Sequence, residues 1–213
     1  MRFTLWAEGP SDACLIPILT WLLRQCGVYD DIETDEEIIF RSKDQSEFAT
    51  ITKVFEKEDY WSDLLFVHMD ADNDKETSGK GPTERDRQCQ DKVNAAGSVP
   101  PYICVIPVRE TETWLLGSEK ALRQATGNPK TQLTFPGRSH LEGINSKQRL
   151  CDILRELGIE IGNDADAELW KAIVRNIRLT EPQSYGILRG IPSFDNLEKA
   201  VKKVVDSQRL AYR

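Results

Sequence analysis

The sequence predicts an α/β fold: a parallel sheet with helices on both faces, followed by a mainly helical C-terminal part. Three observations predict it. Strand-like apolar runs alternate with helical periodicity through the first half of the chain. One of those runs, Leu64-Leu65-Phe66-Val67-His68-Met69, is continuously apolar in the manner of a buried parallel strand. Beyond Leu116 the pattern changes to helical spacing broken by Pro129, Pro136 and Gly137. Alternating strands and helices build βαβ units, whose sheet is parallel and covered on both sides.

In chain order, Phe3-Thr4-Leu5-Trp6 reads as the first strand. A turn at Gly9-Pro10 and a helix cap at Ser11-Asp12 follow. Leu15, Ile18, Leu19, Leu22, Leu23 and Cys26 recur at helical spacing, so this helix lays one face on the sheet, and Gly27 ends it. Ile38-Ile39-Phe40 is the second strand, and Phe48, Ile51, Thr52 and Phe55 mark the second helix. After the Leu64–Met69 strand, residues 70–82 are polar and Gly-rich and read as a mobile loop. A polar helix spans Thr83 to Ala96, and Tyr102-Ile103-Cys104-Val105-Ile106-Pro107 is the fourth strand. Helical patterns at Lys147–Leu157, Ala165–Ile177 and Phe194–Val205 follow. The chain therefore divides into residues 1–117, the sheet-bearing part, and 118–213, mainly helical.

Composition narrows the function. At 213 residues, 39% hydrophobic and 30% charged, the chain can bury a core, and no stretch is apolar long enough to span a bilayer. The acid and the Gly-Pro within the first ten residues argue against a signal peptide. Five cysteines, with no Cys-x-x-Cys pair, argue against a disulfide framework or a zinc ribbon and point to a reducing, cytoplasmic setting. With only His68 and His140, a His-based metal site or a Ser-His-Asp triad is hard to build. The net charge of −7 means that a polyanion would have to be held through metal ions, a partner or a local basic patch.

Ligand sites in parallel sheets lie outside the carboxyl ends of the strands. Acidic residues stand just past three of the four strands here. Glu8 follows the first, Asp70 and Asp72 the third, and Glu110 and Glu112 the fourth. Any one alone reads as solvated surface, but together they would repel one another unless a cation neutralised them. Hard oxygen ligands suit Mg²⁺ or Mn²⁺, which hold phosphates and activate water. An EF-hand loop does not fit, because Lys75 and Gly81 stand where Gly and Glu are needed. A phosphatase of the haloacid dehalogenase type has Thr where Asn73 stands. Gly79-Lys80-Gly81-Pro82-Thr83 lacks the spacing of a phosphate loop.

Glu8-Gly9-Pro10-Ser11-Asp12 after the first strand and Asp70-Ala71-Asp72 after the third resemble the TOPRIM domain. That domain, with a Rossmann-like sheet, is shared by topoisomerases, DnaG-type primases, ribonuclease-maturation enzymes and OLD-family nucleases. The third element, Pro107-Val108-Arg109-Glu110-Thr111-Glu112-Thr113-Trp114-Leu115-Leu116, is similar to the Glu-x-Trp-Leu signature of small bacterial TOPRIM-like proteins, which often accompany ABC/SMC-type ATPases in phage-defence loci. The resemblance implies that Glu8 is the general acid/base or a metal ligand. It implies that Asp70 and Asp72, with Asp74, ligate Mg²⁺ or Mn²⁺, and that Glu112 rather than Glu110 faces the metal. Asp12 would cap the first helix or support the ligands from behind, and Trp114 would pack. Lys75, Lys80 and Arg109 are candidate cations for the transition state.

The expected activity is hydrolysis of phosphodiester bonds in DNA or RNA, since no Tyr stands out as a topoisomerase nucleophile and no primase accessory domain is seen. An ABC/SMC-type ATPase is an expected partner, and a homo-oligomer is compatible with the sequence. Two other readings compete: a non-catalytic module that binds a partner ATPase, and a phosphatase that forms an aspartyl-phosphate at Asp70. Basic residues among the C-terminal helices, such as Lys147, Arg149, Lys199, Lys202 and Lys203, suggest a substrate clamp or docking face, though ordinary solvated helix faces look the same.

Overall fold

The computed structural model describes residues 1–7, 10–28, 32–34, 39–40, 55, 61–71, 82–95, 97, 99–108, 111–127, 137–159, 169, 172–173 and 184–211. Among the described residues, five parallel strands form one sheet: β1 (Arg2–Ala7), β2 (Glu33–Thr34), β3 (Ile39–Phe40), β4 (Leu64–His68) and β5 (Tyr102–Val105). β1 and β4 are central. Trp6 pairs with Val67 on one side and Ile39 on the other, and Phe3 with Leu64 and Thr34. Thus β2 and β3 share the β1 edge opposite β4, while β5 lies beyond β4.

Side-chain alternation along the strands gives the sheet two apolar faces. Phe3, Leu5, Ala7, Leu64, Phe66, Ile103 and Val105 face one core; Trp6, Leu65, Val67 and Met69 face another. Phe3 and Phe66 meet edge-to-face, 5.2 Å between centroids. Helix α1 (Leu15–Gln25) buries Leu15, Ile18, Leu19, Leu22 and Leu23 on the first face. Pro17 falls in its first turn, where the missing N–H has no partner to lose. Gly27, at φ 84°, closes it, with Gly27 N–H donating to Arg24 and Val28 N–H to Leu23. Helix α2 (Pro82–Ala95) places Cys89 and Val93 on the second face, beside Phe55. The expected helix around Phe48–Phe55 lies outside the described residues except for Phe55, which is helical.

The later helices are α3 (Glu112–Leu115), α4 (Glu119–Ala125), α5 (Ser146–Glu156) and α6 (Pro192–Ala211), with 3-10 turns at Arg138–Gly143 and Ser184–Leu188. The expected helix at Ala165–Ile177 lies mostly outside the described residues; Leu169, Ala172 and Ile173 are helical. Leu150, Ile153, Phe194, Val201 and Val205 enter the same apolar cluster as β1 and α1, so the C-terminal helices share the core of the sheet's first face. Among the described residues no helix is long and apolar enough to cross a membrane.

The link from α3 to α4 is tight. A Cβ at Gly117 would lie 2.6 Å from Leu188 Cδ2 and 3.0 Å from the Trp114 carbonyl oxygen, and Leu188 is itself fully buried. Gly117→Ala is expected to lower unfolding free energy by about 1–3 kcal/mol through overpacking, measured by urea denaturation. Gly143→Ala, where a Cβ meets open space, is the control expected to cost less.

Candidate active site at the carboxyl edge of the sheet

Strand order reverses between β1 and β4. The chain leaves β1 toward β2 and β3 on one side, and β4 then pairs on the other. The helices that follow β1 and β4 cover opposite faces, α1 one and α2 the other. The carboxyl ends of β1 and β4 therefore border the crevice where open α/β sheets bind ligands.

Asp12, His68, Asp70, Thr111 and Glu112 are brought to this edge. β4 ends at His68, but its backbone continues beside the end of β5. Met69 N–H donates to Val105, Ala71 N–H donates to Pro107, and Ala71 bridges Val108. This extended course sends His68 and Asp70, two residues apart, to one side and Met69 and Ala71 into the second core. Asp12 comes from the 3-10 turn Pro10–Cys14 that leads into α1. Thr111 and Glu112 come from the start of α3.

His68 is the centre of the group. It is fully buried. Its Nδ1 lies 3.2 Å from Asp12 Oδ2, and its Nε2 lies 3.3 Å from Asp70 Oδ1 and 3.1 Å from Thr111 Oγ1. The Asp12 and Asp70 contacts have ion-pair distance without hydrogen-bond alignment, so Nδ1 and Asp70 Oδ1 are buried with no aligned partner. Burial pushes the ring toward neutrality, but the contacts with Asp12 and Asp70 outweigh it and raise its pKa from 6.5 to about 10.

Thr111, His68 and Asp12 stand in the order of a hydroxyl, imidazole and carboxylate triad. The chemistry does not follow. A ring held protonated at neutral pH cannot take a proton from the hydroxyl, and Thr111 is only 6% exposed. Cys14 is no better placed as a nucleophile. Burial raises its thiol far above the ordinary range, and the charges of Asp12, Glu112 and Asp70 raise it further.

Glu112 is buried in the first turn of α3, which is pinned on two sides. Thr113 Oγ1 donates to the Val108 carbonyl and lies 2.8 Å from Ser146 Oγ. Trp114 Nε1–H donates to Ser193 Oγ at 2.9 Å, and its ring meets Phe194 edge-to-face. Trp114 thus packs, as its sequence context suggested.

Asp12 departs from the capping expectation. The N-cap position of α1, Cys14, makes no side-chain cap, and Asp12, two residues earlier, faces His68. The sequence discounted His68 as one of only two histidines; its signal was position, a titratable residue inside an apolar strand and two before Asp70. Glu8, Asp72, Asp74, Lys75, Lys80, Arg109 and Glu110 lie outside the described residues. Among the described residues no group of three or more His, Cys, Asp or Glu side chains is arranged to hold a metal ion. In donor type, the carboxylates of Asp70, which keeps part of its side chain exposed, and of Glu112 suit a hard divalent cation. His68, with both ring nitrogens turned to carboxylates, does not serve as a ligand. Compared with protein-family models, curated proteins and solved structures, the chain finds no match.

A protonated His68 carries a signature in stability. Its folded pKa is raised, so its contribution is complete below about pH 6.5 and is lost as pH climbs toward about 10. Urea denaturation across that window is expected to show wild type losing stability relative to His68→Gln, at up to about 1.4 kcal/mol per pH unit. Parallel profiles for the two proteins would show that His68 is neutral in the fold.

Proposed function

We propose that this chain is a Mg²⁺- or Mn²⁺-dependent nuclease with a TOPRIM-like fold, hydrolysing phosphodiester bonds in DNA or RNA. The observation that carries this reading is Asp70. It sits just past the central strand at the point where strand order reverses, one oxygen buried against His68 and the side chain still 22% exposed, on the same sheet edge as the buried Glu112. Asp70 and Glu112, joined by Asp72 and Asp74, would hold the ion, which when bound supplies charge neutralisation at the phosphate and polarises water.

The chain's own groups do the rest. Glu8, next to β1, would accept the proton from the attacking water, and Arg109, Lys75 and Lys80 would offset charge building on the phosphate. The acidic balance of the chain, −7, makes such neutralisation necessary for a polyanionic substrate. Lys147 on α5 and Lys199, Lys202 and Lys203 on α6 are exposed. Five free thiols suit a cytoplasmic setting, where an ABC/SMC-type ATPase in anti-phage defence would be the partner.

One observation favours a second reading, a non-catalytic module that docks on an ATPase. His68 already neutralises Asp12 and Asp70 without any ion.

Cleavage of supercoiled plasmid, single-stranded DNA and structured RNA, with Mg²⁺ or Mn²⁺ and with EDTA, separates the two. The nuclease reading expects metal-dependent cleavage that falls on the order of 100-fold or more in Asp70→Ala and in Glu8→Ala. Absence of both cleavage and metal binding in wild type would leave the docking module as the account of this fold.

A further inference from the structure

We infer that His68 is a positioning residue for Asp70, holding one oxygen of that carboxylate inward so that the rest of the side chain can meet a divalent cation; this rests on the metal-dependent reading above. Asp70 Oδ1 lies 3.3 Å from His68 Nε2 and is shut off from solvent, while the Asp70 side chain as a whole keeps 22% of its surface. The exposed part is therefore directed away from the ring. The ring is enclosed. It is fully buried at the end of β4, Asp12 Oδ2 stands 3.2 Å behind Nδ1, and Thr111 Oγ1 stands 3.1 Å from Nε2. Three segments are joined through one side chain: the turn before α1, the exit of β4 and the start of α3.

A purely packing role is poorly served by this choice. The neighbouring positions on the same face, Phe66 and Val105, are apolar, and a buried imidazole between two carboxylates carries a desolvation cost that an apolar side chain would avoid. Polar groups that orient metal-binding side chains from behind have the opposite logic. They cost stability, and they set ligand direction.

The test is Mn²⁺ affinity of the full chain by electron paramagnetic resonance, with metal-free melting to check folding. His68→Gln places an amide nitrogen near the position of Nε2 and keeps the contact with Asp70; His68→Asn reaches only as far as Nδ1 and loses it. His68→Gln is expected to bind within about threefold of wild type, whereas His68→Asn weakens binding roughly 10- to 100-fold. Asp12→Asn, which removes the anchor behind the ring without altering a proposed ligand, is expected to weaken binding about 10-fold, and it serves as the second test if His68→Asn does not fold. Equal affinities in wild type, His68→Asn and Asp12→Asn would overturn the inference while leaving the metal site intact. Equal loss in the folded Gln and Asn variants would overturn it too, because reach would then be irrelevant. No Mn²⁺ binding by wild type would reject the metal-dependent reading itself, and this inference with it.

Discussion

A titratable ring buried at the end of a central β-strand must be partnered, because an isolated charge in a low-dielectric interior is too costly to keep. His68 meets that demand with Asp12 and Asp70 on its two ring nitrogens. Much of the local architecture answers to this one requirement. The 3-10 turn before α1 brings Asp12 over the sheet. β4 continues in extended form past its last paired residue, so Asp70 returns to the same side as His68. Thr111 closes the third side from the start of α3. Removing either carboxylate would leave the ring short of a partner, so the three elements are coupled through it.

The C-terminal helices act on the same edge from farther away. α3 is a single turn, too short to hold itself by its own hydrogen bonds. It is fixed by Thr113 against the Val108 carbonyl and Ser146, and by Trp114 against Ser193 and Phe194 of α6. The Ser193 N–H in turn donates to Glu142. Glu112 therefore takes its direction from helices that lie between 30 and 80 residues further along the chain, roughly speaking by the spans of those bonds. The helical half is support for the acidic edge as well as candidate surface for a partner or substrate.

The chemistry of this edge turns on which groups can move protons. A ring kept protonated by two carboxylates is a poor base, and a thiol raised by burial is a poor nucleophile. What remains are carboxylate oxygens at the carboxyl edge of the sheet. Under the proposed nuclease reading, the acidic residues hold the ion and His68 arranges them, a division of labour between groups that touch the metal and groups that hold those in place.

The strand-and-helix plan was legible in the sequence because it rests on local patterns. The apolar run at Leu64–His68, the helical spacing of Leu15–Leu23 and the polar helix at Pro82–Ala95 each report burial directly, residue by residue. The strand-end rule singles out Asp70 and Glu112 by their positions just past apolar strands. Sequence could not decide what Asp12 does. Its place before a helix favoured capping, and only the fold showed that β4 delivers His68 opposite it. Nor could it give His68 a role, since only Asp70 is near it in the chain, while Asp12 lies 56 residues before it and Thr111 43 after it. Periodicity encodes which face of an element is buried. Which side chains meet across elements is settled by strand order and packing, and here those placed an imidazole between two carboxylates.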